Sequence, residues 1–413
     1  MAHILLLPFG SAGDVFPFIW LGRQLGLRGH RVTMITACLF EKPARAAGLD
    51  FLGLGTAEEF ESLARDPRIW RLGIGTKVVL DFAAKATGEY LAAVEQAAPA
   101  DLIMAPSTAF GARLAREKLG IPLITVHLQP MVFMSVYETP LLHPAMGCLR
   151  YFPVWFRRAL LALPNPVDLF VLPTIRRLCV ANQIRPPRSL WREWWDSPDG
   201  VLVLFPDWFG KPQPDWPVNL LQWTFPLEDL AAEKDLKPEL QGFLAAGERP
   251  IVFTAGSANV QATRFFEVAA AAVAEIGCRA VFVTILPEQV PEGLPENILT
   301  VEYAPFGTLV KHASVFVHHG GIGTMSQGFA AGVPQLIMAM AHDQPDNADR
   351  LEKLGAGIGL SVGQFKPERV VRELKRLLED PARAAASRKC AERMAGGKDI
   401  DELVAWTEKR IRV

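Results

Sequence analysis

The sequence predicts an α/β protein of two doubly wound, Rossmann-like domains with parallel sheets, and two observations carry that prediction. The first is an internal echo: HILLLPFGSAGD, a helical stretch and then RGHRVTMIT are matched later by PIVFTAGSANVQ, a helical stretch and then IGCRAVFVT. Each half reads strand, Gly-Ser turn, helix, glycine, strand, the repeating unit of a parallel sheet with crossover helices. The second is VFVHHGGIGTMSQGFAAGVP followed by HDQPDNA, where a β-branched and aromatic run is broken by glycines before apolar periodicity resumes.

The elements follow in chain order. In the first half, Gly10-Ser11 precedes a helix expected over Phe18 to Leu27, which Gly29 stops; in the second, Gly256-Ser257 precedes Phe265 to Ile276, which Gly277 stops. Short apolar runs predict further strands at Leu102 to Ala105, Leu123 to His127, Val201 to Phe205, Ile298 to Val301, Val315 to Val317 and Gln335 to Met338. Pro212, Pro214, Pro217 and Pro226 disfavour continuous helix between the halves and place the domain switch near Pro226. The expected division is 1–225, 226–395 and a final helix over 396–413 that packs back on the first domain. Asp380-Pro381 reads as an N-cap with proline at the first helical position.

An insert over 131–196 departs from this alternation. It carries Phe152, Trp155, Phe156, Phe170, Trp191, Trp194 and Trp195, and between Cys148 and Arg192 it sets eight arginines against one acid, Asp168. Basic side chains among large apolar ones suit an acidic amphiphile or an anionic membrane surface. They equally suit helices whose aromatic faces are core and whose arginines are solvated.

Composition bounds the function. In 413 residues, 50% hydrophobic and 21% charged, the formal net charge is −1, so no whole-molecule field for nucleic acid exists. Cys38, Cys148, Cys179, Cys278 and Cys390 are odd in number and lack CxxC or Cys/His spacing, which argues against a disulfide framework or zinc site and for a reducing cytoplasm. The N-terminus lacks a basic n-region and a cleavage pattern, and nowhere do about 18 uninterrupted apolar residues predict a spanning helix. Membrane contact is expected to be peripheral, at the inner face.

The glycine turn carries the chemistry. A helix beginning at Gly320, Gly321 and Gly323 points unpaired N–H groups and its positive dipole end at the loop, where a diphosphate can approach the backbone. His319, at the mouth of the turn, adds a side-chain donor, whereas His318 faces the other way and reads as structural. By residue type alone, Asp14 is also an ordinary helix cap, His319 a satisfied core histidine, and Asp343 and Gln344 a helix start.

Together these residues resemble the GT-B glycosyltransferases of the nucleoside-diphosphate-sugar class, which includes macrolide, glycopeptide, sterol and plant natural-product transferases. The likeness spans essentially the whole chain and is carried by GSAGDVFPF with LGRQLGLRGHRVTMIT, then YAPFGTLV, HHGGIGTMSQGFAAGVP and DQPDNA. The phrases SPDGV, FPDWF, QPDWP and AHDQPDNA are similar to the bacterial rhamnosyltransferase subunits that glycosylate hydroxyalkanoyloxy-alkanoate lipids. The resemblance implies two facing domains, with Asp14 as catalytic base, and with His319 and the N–H groups of Gly321, Gly323 and Thr324 on the donor diphosphate. It further implies Tyr303 stacked on the base, Ser257 on the phosphates from the other side, and Asp343 with Gln344 on the sugar hydroxyls. Gln327 stands where plant members place a glutamate on the ribose.

The expected reaction is inverting, metal-independent transfer from dTDP-rhamnose or UDP-glucose, with no resident cofactor. The leaving diphosphate is stabilised by preorganised donors, and the one D-x-D string, Asp399 to Asp401, is helix-start chemistry. The preferred acceptor is a hydroxyacyl lipid. The alternatives are a flavonoid, macrolide or sterol aglycone, and a non-transferase epimerase or donor-binding protein. A dinucleotide-dependent dehydrogenase is disfavoured, because neither GSAGDV nor GSANVQ supplies G-x-G-x-x-G.

Overall fold

Runs of three to seven residues form thirteen strands among the described residues, and all of them pair in parallel. The structure, a computed structural model, describes residues 1–411 except 57, 60–61, 63–65, 72–73, 164, 228–234, 257–258 and 260–261. The chain divides into one unit of Met1–Pro226 with Lys398–Val413 and a second of Leu227–Gly397.

The first unit contains β1 (His3–Leu6), β2 (Arg31–Ala37), β3 (Asp50–Leu54), β4 (Leu102–Ala105), β5 (Leu123–His127), β6 (Val201–Val203) and β7 (Leu220–Gln222). Its sheet runs β3-β2-β1-β4-β5-β6-β7, with Ile4 paired to Val32 on one side and Leu102 on the other. Every residue of β4 and β5 is buried, as expected for a parallel sheet covered on both faces. The chain order reverses between β1 and β4, and ligands of such sheets bind beyond the carboxyl ends of strands at that point.

The second unit contains β8 (Ile251–Thr254), β9 (Ala280–Val283), β10 (Ile298–Val301), β11 (Val315–His318), β12 (Gln335–Ala339) and β13 (Gly357–Ser361). The order is β10-β9-β8-β11-β12-β13, so its switch point lies between β8 and β11. Phe253 of β8 meets Phe282 of β9 at 5.3 Å and Phe265 of the Thr263–Ile276 helix at 6.3 Å, and Phe265 stacks at 5.2 Å on Phe365, just before the helix at Pro367–Glu379. Such aromatic pairs contribute about 0.5–1.5 kcal/mol each beyond the area they bury.

Several boundaries move. The first helix spans Ala12–Leu27 rather than starting at Phe18, because Ser11 caps it and Pro17 is accommodated inside it. Asp14 therefore lies within the first turn, three residues past the cap, and not before the helix. The helix after the glycine turn begins at Ile322, ahead of the apolar periodicity that starts at Met325. The strand at Val201 ends at Val203, while β3, β7 and β13 occupy stretches where composition gives little strand signal.

The insert folds as short helices, including Val154–Leu161, Pro166–Phe170, Leu172–Ala181 and Leu190–Glu193. Its arginines tie the insert's own backbone: Arg176 donates to the carbonyls of Pro187 and Arg188, Arg192 to that of Ala162, and Arg157 to that of Tyr137. No residue of Val154–Leu161 is buried, and Tyr151 and Trp155 are 91% and 70% exposed. The C-terminal helix, Ile400–Glu408, belongs to the first unit, where Asp401 pairs with Arg28 and Glu408 meets His30 Nε2 at 3.0 Å. Asp399 caps this helix by accepting the Asp401 N–H at 3.0 Å.

Candidate functional site

In the first unit, the turn leaving β1 runs into the Ala12–Leu27 helix and presents Asp14. The Asp14 Oδ2 accepts the Ser11 N–H at 2.8 Å and the Ser11 hydroxyl at 3.0 Å, closing a capping box. Gly10, at φ +131°, leaves room for that carboxylate, since a Cβ there would lie 2.3 Å from Oδ2. From beneath, the hydroxyls of Tyr90 and Thr36 both donate to the Pro8 carbonyl, at 2.7 and 3.0 Å. Burial raises the Asp14 carboxyl above its ordinary 3.8, against the Ser11 bonds that lower it. Capping and basicity therefore coexist: a half-buried carboxylate keeps one oxygen on the helix end and gains proton affinity from its surroundings.

In the second unit, β11 ends at His318, and His319 follows it into the turn with its ring 6.3 Å from that of His318 and nearly perpendicular to it. His318 is fully buried; its Nδ1 accepts the Gly320 N–H at 3.0 Å and its Nε2 meets Gln335 Oε1 at 2.8 Å. Since Nδ1 is an acceptor, Nε2 carries the proton and Gln335 must present its oxygen. Burial pushes His318 down to about 3, so the ring is neutral.

His319 is held between two glycines. A Cβ at Gly256 or at Gly321 would lie 2.5 Å from its ring, so only glycine allows the backbone to approach on both sides. Burial pushes His319 down to about 4, and its Nδ1 is buried without a hydrogen-bond partner among the described residues. At neutral pH this imidazole offers a hydrogen bond and not a charge. The register partner of His318 is Thr254, so the turns holding Gly256 and His319 leave adjacent strands side by side.

Beyond His319 the backbone turns at Gly320, φ +92°, and enters the Ile322–Ala331 helix with Gly321 as N-cap and no side-chain cap. The first bond into the helix runs from Met325 N–H to the Gly321 carbonyl at 3.0 Å. The N–H groups of Ile322, Gly323 and Thr324 accordingly have no intrahelical acceptor and point with the positive end of the dipole at the turn. This is a geometry for an anion.

The HDQPDNA segment closes over the same turn. Asp343 occupies the N-cap position of the Gln344–Lys353 helix without a capping bond of its own. Gln344 is 3% exposed, and its Oε1 accepts the N–H groups of Met340 and Ala341 at 2.8 and 3.2 Å. Asn347, fully buried, donates through Nδ2 both to the Gly320 carbonyl at 2.9 Å and to Asp343 Oδ2 at 2.7 Å. His319, Gly321, Asp343 and Gln344 are thus gathered around one turn.

The remaining expected residues are placed differently. Tyr303 follows β10 and is 41% exposed; β10 lies three strand spacings from β11, about 14 Å across the sheet. Gln327 is half-buried on the Ile322–Ala331 helix. Ser257 lies outside the described residues, although Asn259 beyond it is anchored by Gln289 Nε2, which donates to its carbonyl at 2.9 Å. Among the described residues no three His, Cys, Asp or Glu side chains gather as a metal site.

Sequence reasoning missed Asn347 and Gln335, and read Gly256 as a turn residue without its contact with the His319 ring. Asn347 had a signal, since four residues after Asp343 on a helix puts it on the same face. Gln335, at the start of an apolar strand, had none.

Comparisons with known proteins agree with this arrangement. Residues 4–138 match the glycosyltransferase family 28 N-terminal domain, and residues 269–408 match the erythromycin biosynthesis protein CIII-like C-terminal domain. The O-mycaminosyltylonolide 6-deoxyallosyltransferase of Streptomyces fradiae is 27% identical, over 99% of this chain and 98% of its own. The 4'-demethylrebeccamycin synthase of Lentzea aerocolonigenes is 25% identical, over 92% of each. Among solved structures, the glycotransferase of kitacinnamycin superposes with a TM-score of 0.74 at 21% identity and the calicheamicin glycosyltransferase CalG4 with 0.72 at 20%; each covers 99% of this chain, and 99% and 98% of those chains are covered. The spinosyn rhamnosyltransferase SpnG reaches 0.71 at 18% identity, over 99% of this chain and 100% of its own. Two parallel-sheet, Rossmann-like units in this order define the GT-B fold. The protein is a GT-B glycosyltransferase of the nucleotide-sugar class, with a family 28-like N-terminal and a CIII-like C-terminal half.

Proposed function

We propose that this enzyme moves a sugar from a nucleoside-diphosphate donor to a hydroxyl of a small hydrophobic natural product, inverting the anomeric centre without a metal. The observation that carries the donor half is the uncapped helix N-terminus beside a neutral His319 whose Nδ1 lacks a partner among the described residues. Preorganised donors of this kind stabilise the charge that develops on a departing diphosphate. A thymidine nucleotide is the favoured donor, because the solved relatives SpnG and VinC are described in complexes with thymidine diphosphate and dTDP.

In the proposed step Asp14 takes the acceptor hydroxyl proton, the acceptor oxygen forms its bond to sugar C1, and the C1–O bond to phosphate breaks on the opposite face. The nucleoside diphosphate leaves with that electron pair, held by His319 and the N–H groups of Gly321, Gly323 and Thr324. Tyr303 would stack on the base, Ser257 would reach the phosphates, and Asp343 with Gln344 would face the sugar hydroxyls.

The acceptor assignment follows the relatives, whose names describe macrolide and other natural-product chemistry, over the lipid expected from the sequence. A hydroxyacyl lipid stays as the second reading on one observation. The insert exposes Tyr151 and Trp155 and carries Arg158, Arg177, Arg185 and Arg188 at the surface. That surface would also serve a peripheral contact with the inner face of a membrane. A cytoplasmic site is proposed from the cysteines, none of which is in a disulfide.

The test is a matrix of dTDP- and UDP-linked rhamnose and glucose against a macrolide aglycone, a flavonoid and a hydroxyacyl lipid, read by mass spectrometry and anomeric NMR. A β-linked product from an α-linked donor, or the reverse, supports the proposal. Retention of configuration overturns inversion, and isomerised donor without any acceptor product overturns transfer. Turnover of the lipid alone moves the acceptor to the second reading.

A further inference from the structure

The HDQPDNA segment is held in a conformation that its own backbone disfavours. His342 sits at φ +59°, a left-handed region that costs a non-glycine residue, and such strain persists only where the surroundings over-determine it. Two side chains of the following helix supply the constraint. Gln344 Oε1 accepts the N–H groups of Met340 and Ala341, and Asn347 Nδ2 donates to Asp343 Oδ2. The second hydrogen of the same Asn347 amide reaches out of the segment to the Gly320 carbonyl at 2.9 Å.

That reach joins two loops with different proposed tasks. Gly320 is the hinge of the diphosphate turn, and its N–H is already fixed by His318 Nδ1 at 3.0 Å. Its carbonyl is fixed by Asn347, so the turn is clamped on both sides of one residue. Asp343 is the carboxylate proposed to face the sugar. A single planar amide with two donors, fully buried, therefore sets the spacing between the group that holds phosphate and the group that reads the sugar.

We infer that Asn347 is a positioning residue for donor recognition, acting through Asp343 and Gly320 so that diphosphate and sugar are bound as one rigid unit. The inference rests on the nucleotide-sugar reading of the site. Its consequence is asymmetric. Without Asn347, the turn keeps its His318 anchor, while the Asp343 carboxylate loses the Asn347 bond. The sugar-dependent part of donor binding should fall much further than the diphosphate-dependent part.

A double-mutant cycle tests this, using Asp343→Ala, Asn347→Ala and the pair, with thermal melts to confirm folding. Affinities for dTDP and UDP, and for the matching nucleotide sugars, are read by calorimetry, with kcat and KM on the acceptor identified above. Expected are a loss of about tenfold or more in the preference for nucleotide sugar over free nucleotide in each single variant, and no further loss in the pair, as coupled residues show. Asn347→Ser, which keeps one donor, should recover part of the preference and replaces Asn347→Ala if that variant does not fold. Multiplicative losses in the pair, or equal losses for nucleotide and nucleotide sugar, overturn the inference alone. Wild-type protein that binds neither nucleotide overturns the nucleotide-sugar reading and the inference with it.

Discussion

His318 Nδ1 accepts the N–H of Gly320 at 3.0 Å, so an uncharged buried ring sets the first backbone angle of the turn proposed to hold the diphosphate. The same ring reaches Gln335 on the neighbouring strand, which fixes its tautomer. His318→Phe should leave the Gly320 N–H and Gln335 Oε1 buried and unpaired, costing about 1–3 kcal/mol each. His318→Asn, which can still accept from Gly320, should recover the larger share of nucleotide affinity. Equal damage by the two substitutions, in denaturant melts and calorimetry, would show that ring volume and not the hydrogen bond matters.

Both histidines also predict a pH dependence of stability. Their folded-state values, about 3 and about 4, lie below the ordinary 6.5, so the unfolded chain binds more protons between those values. Stability is full above about 6.5 and is lost as the pH falls toward 4 and then 3. Thermal melts of wild type against the His318→Asn, His319→Ala double variant should differ in slope through this window. Parallel slopes would mean that neither histidine is buried neutral.

How much of this was readable in advance can be argued residue by residue. The strands Leu102–Ala105 and Leu123–His127 are buried runs, and Ile298–Val301 is buried or half-buried except at Thr300; all three lie where hydrophobic pattern puts them. The glycine turn was legible because Gly321 and Gly256 are demanded by contact with one ring, and glycine is the residue that marks close approach. Asn347 and Gln335 were not, because a buried amide is defined by partners distant in sequence: Gly320 lies 27 residues from Asn347, and His318 lies 17 from Gln335. The start of the first helix was misplaced for a local reason. Pro17 reads as a helix boundary, yet the Ser11–Asp14 capping box carries the helix past it.

Asp14→Asn tests the proposed base. It preserves volume and an acceptor for Ser11, so the helix end should lose no more than about 1 kcal/mol. Transfer should fall by about 10² or more, the usual scale of general-base loss, with donor affinity near wild type. In wild type, burial raises the Asp14 carboxyl above 3.8, so activity should decline as the pH drops through a value above that ordinary one. An acid limb that survives unchanged in Asp14→Asn assigns the ionisation to another group.

Gly256→Ala should act through His319 alone. A methyl group there would sit 2.5 Å from the imidazole, at a backbone φ of +86° that already disfavours alanine. The ring must move, so nucleoside diphosphate binding should weaken about as much as in His319→Ala. In a His319→Ala background the same substitution should cost little further affinity, leaving only backbone strain in the melt. Independent losses, measured by calorimetry across the four proteins, would place Gly256 in direct contact with the nucleotide instead.

The insert decides between the two acceptor readings. Arg157 donates to the Tyr137 carbonyl at 3.3 Å, so reversing its charge carries a structural cost, whereas Arg158 is exposed and donates to the Tyr137 hydroxyl at 3.4 Å. Arg158→Glu is therefore the cleaner probe. If the enzyme serves neutral aglycones, this variant should leave kcat and the acceptor KM within about twofold, the range expected of an exposed charge that pairs with nothing in the reaction. If it serves an acidic lipid, the KM for that lipid should rise several-fold at low salt and approach wild type as salt screens the charge. The donor KM should stay constant in both cases if the insert serves the acceptor alone. A salt-independent rise for neutral and acidic acceptors alike would assign Arg158 to the fold of the insert, as the carbonyl bonds of Arg157, Arg176 and Arg192 already assign those residues.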